Sequence, residues 1–336
     1  MKSPGRRRVY VIGTGGTISR IGRGRVDFTN YSYRTSNYKI DDLLERIPEA
    51  REVADVRSEQ FANSSSSDLG PTECLVLARR INSIFDEDPS AEGVVVTHGT
   101  ATLEETAYFL NLTVRSHKAV VVTGAMRPPT AISSDADLNL FDAVRTAASP
   151  DAQGKGVLVV MNNQINAARD VYKTDAYRVH TMQSPALGIL GLADSDGKVV
   201  FYRQVLKTHT ADSEFDAAGL SKLPRVEIVL SYAGADGFGI EAFVNGGVQG
   251  IVAAGLGSGS GPVAYMRALT EAVNRGVKVI IASQASSGRI VNKEQFVDSG
   301  FIVADNLGPK KARILLMLAL SRTTDASEIQ RMAFTY

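Results

Sequence analysis

The sequence predicts an α/β protein with a large N-terminal domain on a doubly wound sheet and a smaller C-terminal α/β domain. Short apolar and β-branched runs alternate with helical patterns along most of its 336 residues. Runs that are apolar throughout are typical of parallel strands buried on both faces. A chain of this length is also long for one hydrophobic core and comfortable for two domains.

The first part of the chain follows the spacing of βαβ units. Four apolar runs predict buried parallel strands, at residues 9–13, 93–97, 119–123 and 157–161. Between them the helical pattern predicts helices at 71–85, 103–113 and 137–148. Asp68 followed by Pro71 is a typical helix start. Strands that alternate with helices in this way predict a doubly wound sheet.

The pattern changes after about residue 195, where the polar stretch 207–216 has no clear period. We therefore predict an N-terminal domain over 1–205, a linker over 206–225 and a C-terminal domain over 226–336. In the last of these the alternation resumes, with strands at 226–230, 250–255 and 277–282 and helices near 239–246, 262–275 and 309–320.

Composition and charge exclude several classes of protein. The net charge of +1 gives no electrostatic reason to expect nucleic acid or a membrane surface as a partner. No apolar run reaches the length of a membrane-spanning helix, and no apolar segment follows the basic N-terminus. No signal peptide is therefore predicted, and the expected location is the cytoplasm, with a periplasmic mature form left open.

The histidines and the cysteine indicate no metal site. The four histidines show no ligand spacing, so no metal is expected. His98 stands beside a strand end, where a hydrogen-bonded structural role is the more common one. The single cysteine, Cys74, lies in an amphipathic helical pattern and is expected to be a small buried hydrophobic residue.

Two turns place a threonine just beyond a predicted strand: V-Y-V-I-G-T-G-G-T-I-S at 9–19 and G-V-V-V-T-H-G-T-A-T at 93–102. Their threonines, Thr17 and Thr100, lie at the carboxyl edge of the sheet, where ligands bind in open α/β sheets. A dinucleotide site is not predicted, because Ile18 occupies the place of the third glycine in the binding motif. Two hydroxyls at one sheet edge indicate a nucleophilic site instead.

A threonine hydroxyl is a poor nucleophile until a neighbouring group activates it. Lys173 follows a predicted strand and can reach the same edge, and a partly desolvated lysine can accept a proton. Tyr31 and Tyr33 lie on the glycine-rich loop, where a phenol could serve Thr17 as a relay. Backbone amides at the two G-T turns, where we place Gly99 as a substrate-binding residue, can hold an oxyanion.

These motifs resemble those of the bacterial-type L-asparaginase/glutaminase family. The likeness covers almost the whole chain, and it includes T-G-G-T-I-S (14–19), V-T-H-G-T-A-T-L-E-E-T-A-Y-F-L (96–110), R-D-V-Y-K-T (169–174) and P-K-K-A-R (309–313). The resemblance implies hydrolysis of a small-molecule amide without a cofactor. It also implies a homotetramer built from intimate dimers, with sites between the N-terminal domain of one subunit and the C-terminal domain of its neighbour.

The resemblance also implies roles for individual residues. Thr17 corresponds to the primary nucleophile and Thr100 to a second catalytic threonine, which Lys173 supports. The loop tyrosine is best matched by Tyr33, with Tyr31 as the alternative. Ser66 falls where the family has the serine that holds the α-carboxylate of the substrate.

The chain departs from the family where the α-ammonium of the substrate is received. Ala101 stands in place of an aspartate, Ser67 in place of the usual glutamine, and Ser258 in place of an asparagine. The glutamate from the neighbouring subunit falls near 293–295, where Glu294 is the only candidate. The sequence therefore predicts a substrate-binding set, Ser66, Ser67, Gly99, Ala101, Ser258 and Glu294, that is poorly suited to a free α-ammonium.

A buried hydrogen bond to a charged group contributes about 1.5–3 kcal/mol, so several losses should weaken recognition of L-asparagine by orders of magnitude. We predict a hydrolase acting on an amide, or an imide or lactone, of a small carboxylate without a free α-ammonium. One alternative is a genuine L-asparaginase or glutaminase, whose substrate ammonium is met by Glu294 and water. Another is a non-catalytic ligand-binding homologue. Whether Asp135 or a neighbouring subunit replaces the missing carboxylate beside Lys173 stays open.

Overall fold

The computed structural model describes residues 6–31 and 37–336. The chain divides into two compact units, residues 1–218 and 219–336. The first unit is built on an eight-stranded sheet and the second on a four-stranded sheet, and helices follow the strands in both. The predicted fold class, a large and a smaller α/β domain, is confirmed.

The first unit alternates strands and helices over its first 161 residues. In chain order its elements are β1 (Arg8–Gly15), α1 (Ile40–Glu45), α2 (Ala50–Val53), β2 (Asp55–Ser64), α3 (Pro71–Glu87), β3 (Ala91–Thr97), α4 (Leu103–Thr113), β4 (Ala119–Thr123), α5 (Ala136–Ala148) and β5 (Val157–Met161). Five short strands follow: β6 (Gln164–Ala167), β7 (Tyr172–Lys173), β8 (Met182–Gln183), β9 (Gly191–Ala193) and β10 (Val199–Phe201).

The strand order of the large sheet is β10-β9-β6-β5-β4-β3-β1-β2. Strands β1 to β5 run parallel, whereas β6, β9 and β10 pair antiparallel. The chain moves outward from β1 to β2 and then returns to β3 on the other side of β1. This reversal makes the gap between β1 and β3 the topological switch point, which is the ligand-binding edge in such sheets.

The predicted strands are buried because they are apolar on both faces. Every residue of β4 and β5 is buried, and so are the last five of β1 and of β3. Helices α3 and α5 start and end within a few residues of the predicted bounds. Cys74 lies buried on α3, as the helical pattern predicts.

The second unit repeats the alternation on a parallel sheet of order β11-β12-β13-β14. Its elements are β11 (Val226–Leu230), α6 (Phe238–Asn245), β12 (Gly250–Gly255), α7 (Val263–Asn274), β13 (Lys278–Ser283), α8 (Glu294–Asp298), β14 (Ile302–Val303), α9 (Pro309–Leu320) and α10 (Ala326–Thr335). An apolar core that includes Ile251, Leu269 and Ile281 fills the space between the sheet and its helices.

Residues 206–218 of the predicted linker, which runs over 206–225, belong to the first compact unit. Phe215 is 1% exposed and Ala217 is fully buried. Arg79 on α3 donates from Nε to the backbone oxygen of Ala217 at 2.9 Å. This stretch is mostly polar, and its few buried apolar residues follow no regular period. The sequence pattern therefore did not predict that they are buried.

Candidate active site at the switch point

The two threonine turns meet at the switch point through glycines. Gly16 has a φ of 86°, and a Cβ there would lie 2.3 Å from the Cα of Gly99. A Cβ on Gly99 would lie 2.8 Å from the hydroxyl oxygen of Ser66. Only glycine permits these approaches, so the turns after β1 and β3 and the serine turn after β2 form one contiguous surface.

A cavity of about 270 Å³ opens at this surface. Six of the predicted site residues line it: Thr17, Ser66, Gly99, Thr100, Ala101 and Lys173. Tyr31 lines it too, whereas the predicted loop tyrosine, Tyr33, lies outside the described residues. Residues separated by more than 150 positions in the sequence therefore converge on one small site.

Thr17 begins a short 3-10 helix, Thr17–Ser19, directly after β1. Its side chain is 8% exposed, and its hydroxyl lies 3.1 Å from the phenolic oxygen of Tyr31. Either group can be the donor in this hydrogen bond. The structure thus gives Thr17 a proton-exchanging neighbour in Tyr31, which the sequence offered as the alternative tyrosine.

Thr100 is paired with Lys173, as the sequence predicts for the second hydroxyl. The Nζ atom of Lys173 donates to Thr100 Oγ1 at 2.6 Å, and it also lies 3.3 Å from the sulfur of Met126. Thr100 in turn donates to the same sulfur at 3.3 Å. A proton can pass between the lysine and the threonine at this distance.

A small hairpin holds Lys173 in place. Strand β7, which ends at Lys173, pairs antiparallel with β8. In the connecting turn Asp175 accepts backbone hydrogen bonds from Tyr177 at 2.8 Å and Arg178 at 2.9 Å. These two bonds are the main reason why the pKa of Asp175 is lowered to about 2. The charged carboxylate thereby fixes the turn that brings Tyr177 to the cavity.

Asp135 is engaged in a different task from orienting the lysine. Its carboxylate accepts the backbone N–H of Met126 at 2.9 Å and that of Arg127 at 2.9 Å. The side-chain amide of Asn139 donates to it at 3.1 Å. Burial raises its pKa, against the effect of the backbone amides. Asp135 therefore shapes the turn that carries Met126.

The remaining predicted site residues are not part of this cavity. Ser67 is exposed and shares a hydrogen bond of 2.8 Å with Ser65. Ser258 and Glu294 belong to the second unit. There the Nζ atom of Lys293 donates to Ser258 Oγ at 2.7 Å and to its backbone oxygen at 3.0 Å. Glu294 is exposed at the start of α8.

Sequence reasoning missed several residues that line the cavity: Phe28, Thr29, Met126, Ala176 and Tyr177. Met126 lies three residues after the end of β4, and this position at the carboxyl edge of the sheet was a usable signal. Tyr177 follows Lys173 by four residues and lies in the turn between β7 and β8. Phe28 and Thr29 lie on an irregular loop, where no periodicity indicates direction.

Neither a metal site nor a membrane span is found in the described part of the chain. No group of three or more His, Cys, Asp and Glu residues there is arranged to hold a metal ion. Among residues 6–31 and 37–336 no helix is both long and apolar enough to cross a membrane.

Comparison with known proteins identifies the family. The family model described as "Asparaginase, N-terminal" matches residues 8–207, and "Glutaminase/Asparaginase C-terminal domain" matches residues 225–332. L-asparaginase 2 of Bacillus subtilis is 39% identical over 322 residues, covering 96% of this chain and 84% of that protein. Glutaminase-asparaginase of Pseudomonas fluorescens biotype A is 41% identical over 331 residues, covering 98% of this chain and 90% of that protein.

A solved structure agrees with the sequence relatives. The crystal structure of a probable cytoplasmic L-asparaginase from Campylobacter jejuni is 42% identical and superposes with a TM-score of 0.94. The likeness covers 98% of this chain and all of that one. Both family models together span nearly the full chain, so this protein belongs to the asparaginase family of hydrolases, which act on carbon–nitrogen bonds.

Proposed function

We propose that the protein hydrolyses an ω-amide, or a related imide or lactone, of a small carboxylate that lacks a free α-ammonium. The observation that carries this proposal is the charge of the cavity. Among the described residues that line it there is no aspartate or glutamate, and the ionised group that they contribute is the ammonium of Lys173. A substrate ammonium would meet a like charge there, whereas a substrate carboxylate would be attracted.

The hydrogen bond between the Thr17 hydroxyl and the Tyr31 phenol supports Thr17 as the nucleophile. Thr17 Oγ1 attacks the carbonyl carbon of the amide, and its proton passes to Tyr31, 3.1 Å away, while the phenol gives its own proton to the amide nitrogen. As the carbon–nitrogen bond breaks, the nitrogen takes up this proton and leaves as ammonia. Water then attacks the acyl-threonine, which releases the acid and returns a proton to Thr17.

The pair formed by Thr100 and Lys173 supports a second proton transfer in the cavity. Lys173 Nζ donates to Thr100 Oγ1 at 2.6 Å, so Thr100 can pass its own proton to a water or a substrate atom as it accepts one from the lysine ammonium. Met126 contacts both groups through its sulfur, at 3.3 Å from each. A thioether is a weak acceptor for these two hydrogen bonds.

The second unit supports the same choice of substrate. The resemblance places Ser258 toward the substrate ammonium of a neighbouring subunit. In this chain the Ser258 hydroxyl already accepts a hydrogen bond from the Lys293 ammonium at 2.7 Å. A hydroxyl that already accepts a hydrogen bond from one cation is poorly placed to accept a hydrogen bond from a second cation.

The proposal is tested by following product release from paired substrates. Succinamate, glutaramate and N-acetyl-asparagine would be compared with L-asparagine and L-glutamine, together with succinimide and small lactones. We expect turnover of at least one member without an α-ammonium. Rejection of all of these, with efficient turnover of L-asparagine, would contradict it.

The names of the relatives favour a second candidate. L-asparaginase 2 of Bacillus subtilis and L-asparaginase 2 of Escherichia coli are 39% and 38% identical to this chain. Under this alternative the protein is an L-asparaginase or glutaminase, and Glu294 of a neighbouring subunit receives the ammonium. The same paired assay decides between the two. Location in the cytoplasm stays a prediction.

We also propose that the protein assembles as a homotetramer. In the second unit, large apolar side chains are exposed at the end of β11, in the loop after it and at the starts of α6 and α7: Leu230, Tyr232, Phe238 and Val263, of which Phe238 is 79% and Val263 86% exposed. Exposed apolar patches of this kind mark protein–protein contacts. A second copy of the chain is the occupant that the family resemblance implies.

The Val263→Glu substitution is expected to reduce the molar mass in solution by disrupting this apolar contact. The measurement is size-exclusion chromatography with light scattering at micromolar protein concentration. A matched control, Val76→Glu, places the same charge on an exposed apolar position of α3 in the first unit. A monomeric wild type, or equal effects of the two variants, would contradict the proposed interface.

A further inference from the structure

His98 is a buried titratable group directly beside the cavity, and the proposed reaction leaves it unused. It follows β3, and its side chain has no contact with solvent. Burial lowers its pKa to about 4, against the effect of a hydrogen bond to Gly99. The imidazole is therefore neutral at neutral pH, with one ring nitrogen that donates and one that accepts.

The contacts of the ring determine which nitrogen carries the proton. Nδ1 lies 2.9 Å from the backbone oxygen of Gly99, and a carbonyl oxygen can only accept, so Nδ1 is protonated. Nε2 must then accept, and the hydroxyl of Thr106 on α4 donates to it at 3.0 Å. The thiol of Cys74, 3.7 Å away, can donate to Thr106 in the same direction. Burial raises the pKa of this thiol to about 11, so it keeps its proton.

The direction of these hydrogen bonds determines how the peptide between Gly99 and Thr100 is oriented. A trans peptide is planar, with its C=O and N–H pointing in opposite directions. Since the Gly99 carbonyl faces the buried imidazole, the N–H of Thr100 points away from it. Gly99 and Thr100 both line the cavity, whereas His98 is fully buried.

We propose that His98 is a positioning residue, which holds the Gly99–Thr100 peptide so that the Thr100 N–H can donate to the oxyanion formed in the cavity. This inference rests on the proposed hydrolysis. The backbone of His98 is itself restricted by close packing and by a hydrogen bond. A Cβ on Gly124 would lie 2.4 Å from the backbone oxygen of His98, and the His98 N–H donates to Thr123 O at 2.7 Å.

The expected effect concerns turnover rather than substrate binding. Removing one oxyanion donor from a hydrolase lowers kcat by about 10²–10³-fold. Loss of the bond that aims the donor should cost part of this, about 30-fold in kcat, with KM changed by less than about 3-fold. A residue that only fills the core would show its effect in stability instead.

Two variants of matched polarity separate the two hydrogen bonds of the ring. In His98→Asn the side-chain amide nitrogen reaches the place of Nδ1 and can still donate to Gly99. In His98→Gln the terminal amide reaches the place of Nε2, which keeps the contact with Thr106 and loses the one with Gly99. We expect His98→Asn to retain kcat within about 3-fold and His98→Gln to lose about 30-fold, with KM unchanged in both.

Thermal unfolding and crystal structures of both variants complete the test. The Gly99 carbonyl should keep its direction in His98→Asn and change it in His98→Gln. Equal losses of kcat in the two variants, or the same carbonyl direction in both, would overturn the positioning role. If the wild type hydrolyses nothing, the proposed function fails, and the two crystal structures alone decide whether His98 sets this peptide.

Discussion

Replacing Thr17 by valine is expected to lower kcat by at least about 10⁴-fold while the protein stays folded. Valine has nearly the shape of threonine but no hydroxyl, so the variant loses the nucleophile with little change in packing. Thr17 is 8% exposed and bonds to Tyr31, so the loss of one hydrogen bond should lower the free energy of unfolding by only about 1 kcal/mol. The measurement is kcat on the best substrate of the amide panel.

The control for this experiment is Thr17→Ser, which retains a hydroxyl on a smaller side chain. It should keep turnover that is readily measured above that of Thr17→Val. If Thr17→Val hydrolysed the substrate as fast as the wild type, Thr17 would not be the nucleophile. A wild type that binds a ligand without hydrolysing any amide would favour the non-catalytic alternative.

The Ala101→Asp substitution is expected to raise kcat/KM for L-asparagine by about 10- to 100-fold. Ala101 is exposed on the wall of the cavity, so a carboxylate there has room and stays hydrated. A hydrogen-bonded charge pair with the α-ammonium contributes about 1.5–3 kcal/mol, which corresponds to this range. The same carboxylate should also repel the carboxylate of the substrate, and thus lower kcat/KM for a substrate without the ammonium.

Steady-state kinetics with L-asparagine and succinamate measure both effects in one experiment. Ala101→Asn is the matched control, because it has nearly the same shape and no charge. It should change the preference for the two substrates by less than Ala101→Asp does. If the aspartate did not shift the preference toward L-asparagine, the position would not govern recognition of the ammonium.

The buried strands and helices of the fold could be predicted because their apolar patterns are visible in the sequence. Strands such as β4 and β5 are apolar at every position, and helix α3 shows a clear amphipathic pattern. Strand β2 was missed because it is an edge strand, and most of its residues are polar and half-exposed. Its register is set by pairing with β1, a long-range contact that local pattern does not encode.

The site could be predicted in part for the same reason. Thr17 and Thr100 follow apolar strands, so their place at the sheet edge was readable from the sequence alone. The sequence could not distinguish Tyr31 from Tyr33, since the glycine-rich stretch that contains both has no period, and the contact between Tyr31 and Thr17 depends on the three-dimensional structure. The sulfur of Met126 reaches Lys173 through a turn held by Asp135, which no local pattern reveals.

The most direct test of the central claim is the ratio of kcat/KM for succinamate to kcat/KM for L-asparagine, measured on the wild-type protein. The two substrates differ only in the α-ammonium, and the cavity offers that group no carboxylate among its described lining residues. Each missing charged contact corresponds to about a 10-fold to 100-fold change, so the ratio should exceed about 10². A micromolar KM and an ordinary kcat for L-asparagine would contradict the account.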